Sequence, residues 1–299
     1  MKALDLKHIF HKELDLIYGK NEVESFFFLA TEHYFSLARI QLALDQQFSF
    51  SKPETNTLFT ILEDLKQQKP IQYILGYTEF YGLKFKVNPN VLIPRPETEE
   101  LVDWIINSYK EFSHSAIKSS HLKILDIGTG SGCIAISLAK HLLNAKVYAI
   151  DVSKAALEVA KENAKINQVE VEFLELDILK YEDASLWEDV VELKKGFFDI
   201  IVSNPPYVRH LEKKEMQPNV LDNEPHLALF VADNDPLVFY KAITDFAVDN
   251  LKQKGQLYFE INQYLGEDSI QLLNNESFEA ITLKKDLSGN DRMLKGIKK

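Results

Sequence analysis

Lys123-Ile124-Leu125-Asp126-Ile127-Gly128-Thr129-Gly130-Ser131-Gly132 decides the fold. A short apolar run, an acid near its end and three alternating glycines read as a strand, a tight turn and the opening of a helix. Glycines at such a turn remove Cβ atoms and permit positive φ. A ligand can then lie against bare backbone while the N–H groups that open the next helix face an anion. The expected ligand is anionic and nucleoside-like. The spacing is G-x-G-x-G rather than G-x-G-x-x-G and no Lys-Ser/Thr follows, so the dinucleotide fingerprint and the P-loop both fit poorly. A merely structural tight turn is the plain alternative.

From Lys123 onward the pattern alternates strand and helix. Strands are expected at 124–127, 147–150, 171–176, 198–203 and 256–261, with helices after the first three and one from about 236 to 251. Near-continuous apolar strands of this kind are buried on both faces, which argues for a parallel sheet wound with helices. Two further strands, at 278–285 and 292–297, are expected to form an antiparallel edge hairpin. The charged segment 182–195 reads as a surface insertion.

Upstream, apolar positions at helical spacing (Leu4, Leu6, Ile9, Phe10, Leu14, Ile17; then Phe26 through Leu44; then Leu58, Ile61, Leu62, Leu65) predict a helical bundle, with Pro53 at a helix start. Phe80, Tyr81, Leu83, Phe85 and Val87, broken by Gly82, predict two short strands. Ile93-Pro94-Arg95-Pro96 holds the chain extended, and the acids Glu97, Glu99 and Glu100 open a helix through Leu101 and Trp104. The expected division is a bundle at 1–75, a hairpin linker at 76–95 and a sheet domain at 96–299.

Three further features bear on chemistry. Asp151 ends the second strand, where an acid can accept hydrogen bonds from ribose hydroxyls; the alternative is a cap for the following helix, a job Ser153 can do equally well. Asp177 ends the third strand and could accept from an adenine amino group, with Ile178 packing on the base. Asn204-Pro205-Pro206-Tyr207 follows the fourth strand at the same sheet edge. Pro205 forces Asn204 to be extended and neither proline donates a hydrogen bond, which leaves a row of acceptors. The Asn204 side-chain oxygen and the Pro205 carbonyl can accept from one planar –NH2 group while Tyr207 covers its face. A structural Pro-Pro turn is the alternative.

Asp126–Gly132, Asp151 and Asn204–Tyr207 together resemble class I S-adenosylmethionine-dependent methyltransferases that modify planar amino nitrogens. Gln72-Tyr73-Ile74-Leu75-Gly76, Glu79-Phe80-Tyr81-Gly82-Leu83 and Ile93-Pro94-Arg95-Pro96-Glu97-Thr98-Glu99 narrow the resemblance to the release factor glutamine methyltransferase family. Glu260 and Gly289-Asn290-Asp291-Arg292 also fit it. The resemblance runs from about residue 71 to the C-terminus; the helical first 70 residues match in kind. It implies an α/β fold: a doubly wound, mostly parallel, seven-stranded Rossmann-like sheet. It also implies methylation of the glutamine side-chain amide in the Gly-Gly-Gln motif of peptide chain release factors. S-adenosylmethionine is the implied cofactor, leaving as S-adenosylhomocysteine, with no metal. Gly128, Thr129, Gly130, Ser131, Gly132, Asp151, Asp177, Ile178 and Asn204 are the expected cofactor residues. Asn204, Pro205 and Tyr207 are the expected catalytic residues, joined by Pro206 against the substrate. Ile178 departs from the family, where an aromatic often stands beside the adenine.

Composition weighs the rivals. The 299 residues carry 34 Lys+Arg and 45 Asp+Glu, a formal charge of −11. Eight of those cations and ten of those anions lie in the first 75 residues, so no basic clamp stands there. An adenine methyltransferase acting on DNA could use the same Asn-Pro-Pro-Tyr loop, but the acidic balance disfavours holding duplex backbone. A ribosomal-protein glutamine methyltransferase and a non-catalytic S-adenosylmethionine-binding scaffold are the other rivals. Cys133 is alone, and no Cys/His cluster has zinc spacing. No membrane-spanning run or signal peptide is apparent, so a soluble, cytoplasmic protein is expected; release factors are the expected partners, docked by the helical bundle, and the expected state is a monomer.

Overall fold

The structure, a computed structural model, describes residues 1–45, 47–113, 121–181 and 196–299. The chain folds into two compact units. The first comprises residues 1–77 with 217–223, the second 78–216 with 224–299.

The first unit is helical: α1 (Ala3–Tyr18), α2 (Lys20–Phe35), α3 (Arg39–Leu44), α4 (Lys52–Lys66) and α5 (Ile71–Leu75). Its core joins Leu6, Phe10 and Leu14 of α1, Val23, Phe26 and Phe27 of α2, and Leu58, Ile61 and Leu65 of α4. Phe10 and Phe27 meet edge to face at 5.3 Å. The apolar run from Phe26 to Leu44 is not one helix. Ser36 adopts a left-handed conformation (φ 55°) that closes α2, and α3 buries none of its residues. Pro53 falls in the first turn of α4, behind a Ser51/Glu54 capping box in which the Ser51 N–H donates to Glu54 at 2.7 Å. The later segment of this unit is tied by Asn223, which donates to the Gln68 carbonyl at 3.2 Å.

The second unit opens with the hairpin β1 (Tyr77–Phe80) and β2 (Leu83–Lys86). Tyr81 and Gly82 both have positive φ (49° and 71°), the requirement of a primed two-residue turn. The hairpin, expected as a linker of its own, belongs with the second unit almost entirely. Asn163 is the reason. Its side chain accepts from the Lys86 N–H at 2.6 Å and donates to the Lys86 and Ser131 carbonyls. Then follow α6 (Pro96–Ser113), β3 (Leu122–Ile127), α7 (Cys133–His141), β4 (Ala145–Asp151), α8 (Lys154–Asn167), β5 (Glu172–Glu175) and β6 (Phe198–Ser203). After the short β7 (Val208–Arg209), the single turn α9 (Pro218–Leu221), which counts with the first unit, and β8 (Phe230–Val231) come α10 (Val238–Asn250), β9 (Leu251–Glu260), α11 (Gly266–Asn275), β10 (Phe278–Lys285) and β11 (Asp291–Lys298).

Seven strands form one sheet in the order β10-β11-β9-β6-β3-β4-β5, parallel from β9 to β5, with β11 antiparallel to both neighbours. Successive strand residues enter opposite cores. Ile124, Val147, Ala149, Ile200 and Val202 pack with α6 and α7, whereas Leu125, Tyr148, Ile150, Ile201 and Leu257 pack with α10. This period of two, apolar on both faces, is the doubly wound pattern expected from the sequence. The helix expected after the third strand begins as a 3-10 turn, Ile178–Lys180; the remainder, with the charged 182–195 segment, lies outside the described residues. Helix α11 was not expected from the sequence: it is only ten residues long, opens on Gly266 and two acids, and has only Ile270, Leu272 and Leu273 as apolar positions. Among the described residues, no helix is long and apolar enough to cross a membrane.

Strand order sets the site. The chain steps from β3 to β4 to β5 on one side, then returns to place β6 on the other, so the switch point lies between β3 and β6. Ile127 pairs with Ile150 and with Ser203, and Ser203 pairs with Phe259. Gly128, Asp151, Asn204 and Glu260 are therefore the next residues of four adjacent strands.

Candidate active site

A crevice of about 900 Å³, open mouth included, lies along this row. Gly128 and Gly130 line it, with φ of +74° and +54°, and a Cβ built on either would meet no atom within 4 Å. The backbone thus offers a bare cradle. Gly132 differs. It caps α7, and a Cβ there would stand 2.8 Å from Ile136 Cδ1 and 3.2 Å from Ala160 Cβ, so it permits α7 and α8 to pack.

Thr129 and Ser131, expected at the ligand, are buried and do not line the crevice. The Thr129 hydroxyl donates to Asp126 Oδ2 at 2.6 Å, and the Ala135 N–H reaches the same oxygen. Burial pushes the Asp126 carboxyl up to about 7 against these donors, with Asp151 adding to the rise.

Asp151 faces the cradle and lines the crevice. Its Oδ2 accepts from the Gly130 N–H and its Oδ1 from the Ser153 N–H, each at 2.8 Å. Burial raises its pKa while these N–H groups oppose the rise. Capping of α8 falls to Ser153, whose hydroxyl accepts from Ala156. Asp177 and Ile178 also line the crevice, but Asp177 caps its own 3-10 turn by accepting from the Leu179 N–H at 3.0 Å. The sequence reading missed the opposite wall, formed by Asn90, Val91 and Leu92 after the hairpin and by Phe239 and Ile243 of α10. The Asn88-Pro89-Asn90 turn was its only signal.

Asn204, Pro205 and Pro206 close the crevice at the β6 end. A second, smaller cavity, on Arg95, Tyr207 and Glu260, shares Leu92, Asn204, Pro205 and Ala228 with the first. The polar part of this shared boundary is the acceptor pair, Asn204 and Pro205. Asn204 Nδ2 donates to Thr98 Oγ1 at 3.2 Å, and Oδ1 accepts no hydrogen bond among the described residues. Thr98 donates to Glu260 Oε2 at 2.6 Å, and the Tyr207 hydroxyl donates to Glu260 Oε1 at 3.0 Å. Burial raises the Glu260 pKa, opposed by these two donors and by the charge of Arg292. Tyr207 is likewise raised, first by burial and then by the adjacent carboxylate, so it keeps its proton. Arg95 is held at 2.6 Å by the buried Glu224, which also accepts from the Ile93 N–H. The arrangement can hold a planar amino nitrogen against two fixed oxygens.

Comparison with known proteins settles the kinship. A release factor glutamine methyltransferase of Flavobacterium psychrophilum is 54% identical over 286 residues, covering 96% of this chain and 95% of that one. The chain belongs to the release factor glutamine methyltransferase family. A second relative of that name, from Bacteroides thetaiotaomicron, is 41% identical over 95% of each chain. A family model described as a methyltransferase domain matches residues 118–284 of this methyltransferase. The 16S rRNA N2 G1207 methyltransferase of T. thermophilus, solved with AdoMet and guanosine, shares the fold: TM-score 0.50 and 18% identity over 75% of this chain and 50% of that one. Within the methyltransferase, Thr98 and Glu260 are functional candidates to which residue-type reasoning assigned no role. Their signal was their membership in the Arg-Pro-Glu-Thr-Glu and Phe-Glu-Ile stretches.

Proposed function

We propose that the protein transfers a methyl group from S-adenosylmethionine to the side-chain amide of the Gly-Gly-Gln glutamine of release factors, with Asn204 and Pro205 as the acceptor-holding pair. The observation that carries this reading is the pair of cavities whose shared boundary includes Asn204 and Pro205. The residues of the larger cavity fit the cofactor. Gly128 and Gly130 give it bare backbone, Asp151 has carboxylate lone pairs left for ribose hydroxyls, and Asp177 and Ile178 lie where a base would rest. When bound, S-adenosylmethionine supplies an electrophilic methyl group.

The chain's own residues supply orientation. An amide nitrogen is a poor nucleophile because its lone pair is shared with the carbonyl. Asn204 Oδ1 and Pro205 O can accept both of its N–H bonds and hold the nitrogen with its lone pair turned toward the glycine cradle. The prolines fix this loop in advance, which lowers the entropy lost on binding. No base is needed before attack, since the nitrogen becomes acidic only as its new bond forms. Tyr207, held protonated on Glu260, walls the acceptor side.

The helical first unit is the docking module in this reading. Ile40 and Leu44 on α3 are exposed apolar side chains with no part in the bundle core, and a reactive glutamine between flexible glycines offers little surface itself. Labelled methyl transfer tests the whole proposal. A release factor should be labelled and one with the Gly-Gly-Gln glutamine replaced should not; equal labelling of both overturns it.

A further inference from the structure

An asparagine amide fits its site equally well by shape in two orientations that exchange its oxygen and nitrogen. Only one of them turns Oδ1 toward a methyl acceptor. We infer that Thr98 and Glu260 are positioning residues that fix this choice, through a one-way chain of hydrogen bonds from Asn204 to Thr98 to Glu260. The inference rests on the proposed role of Asn204.

Glu260 stands beyond Phe259, the residue paired with Ser203, so its carboxylate and Asn204 leave adjacent strands at one level. Thr98 comes from the first turn of α6, on a different part of the chain, and is as deeply buried as Glu260, at 2% and 1% exposure. Ionised, as its two donors and the charge of Arg292 favour, Glu260 only accepts. Its Oε1 is engaged by Tyr207 at 3.0 Å and its Oε2 by Thr98 at 2.6 Å. The single hydroxyl hydrogen of Thr98 is thereby committed to a charge-assisted bond, stronger than one to a neutral amide. What Thr98 can present to Asn204 is a lone pair, so Asn204 must offer Nδ2, as it does at 3.2 Å. The oxygen is left for the crevice. Were Thr98 free to rotate, it could donate to Asn204 Oδ1, and Nδ2 would then face an incoming –NH2 group, donor against donor. Asn204 is half-buried, and an acceptor seated on it would leave that mismatch screened from water, where it is most costly.

The test is steady-state methyl transfer to a release factor by the full-length protein carrying Thr98→Val, Thr98→Ser, Asn204→Ala or the Thr98→Val/Asn204→Ala pair. Thr98→Val keeps the branched shape without the hydroxyl and is expected to lower kcat by about 10- to 100-fold. KM for the release factor and Kd for S-adenosylmethionine should stay within about threefold of the unmodified protein. Thr98→Ser restores the hydroxyl and should recover at least about a third of the turnover, whereas Thr98→Ala should repeat the Val result if valine fails to pack. In the Asn204→Ala background, Thr98→Val should cost less than about twofold more, because its effect runs through Asn204. Near-normal kcat in Thr98→Val overturns the inference. So does an equal loss in Thr98→Ser, or a full further loss in the double variant, since either marks a packing role. If Asn204→Ala itself keeps its turnover, the reading of Asn204 fails and takes this inference with it.

Discussion

Two loops leave paired residues of neighbouring strands, the glycine turn after Ile127 and the Asn204 loop after Ser203, and in the proposed reaction they work by opposite means. The first acts by what it lacks: at Gly128 and Gly130 the backbone is bare and the space beyond is open. The second acts by a side chain whose orientation is set from behind by Thr98 and Glu260. One loop is legible from residue type alone. The other is legible only in part, because the residues that orient Asn204 lie 106 and 56 positions away in the chain.

Substitutions in the two loops should therefore fail differently. The largest effect is expected from Asn204→Ala, a loss of at least about 100-fold in kcat with cofactor Kd held within about tenfold, measured by methyl transfer and by calorimetric titration. Gly130→Val should invert that pattern. A β-branched residue at φ +54° costs on the order of 1–3 kcal/mol, and its side chain would enter the crevice, so cofactor Kd should rise by at least about tenfold. An unchanged Kd would separate the turn from the cofactor. Gly132→Ala sharpens the contrast within one turn, since its Cβ meets Ile136 and Ala160. It should lower unfolding stability by about 1–3 kcal/mol in a urea titration while cofactor affinity per folded molecule is kept.

A smaller effect is expected from Ile40→Asp with Leu44→Asp on α3, a rise of roughly fivefold in KM for the release factor with no change for the cofactor. Equal KM values would remove α3 from docking. A pH effect, read on stability rather than on catalysis, is expected at Asp126, whose folded carboxyl is raised to about 7 by burial. A carboxyl raised on folding favours the native state while it is protonated. Its contribution is lost as pH climbs from its ordinary range through about 7. The urea midpoint of the unmodified protein should accordingly fall more between pH 5 and pH 8 than that of Asp126→Asn, and parallel slopes would contradict this.

The sheet was readable because its strands are apolar on both faces and end in glycine, acid or amide, signals that survive without any tertiary knowledge. Asp151, Asp177, Asn204 and Pro205 line the crevice for the same reason: each ends or follows a strand. Thr129 and Ser131 belong to the same motif, yet their side chains turn into the protein, which a motif written as consecutive letters does not distinguish. The wall from Asn90 to Leu92 follows a hairpin strand held at Lys86 by Asn163, a contact between residues 77 apart that no local pattern encodes. The break at Ser36 was hidden for a related reason. Ile40 and Leu44 continue the apolar spacing of α2 although they face solvent.

The most direct measurement is tandem mass spectrometry of a release factor after incubation with the protein and S-adenosylmethionine. The expected result is one added methyl on the side-chain nitrogen of the Gly-Gly-Gln glutamine, absent when Asn204→Ala is used for the same time. A methyl on any other residue, or the same yield from Asn204→Ala, contradicts the account.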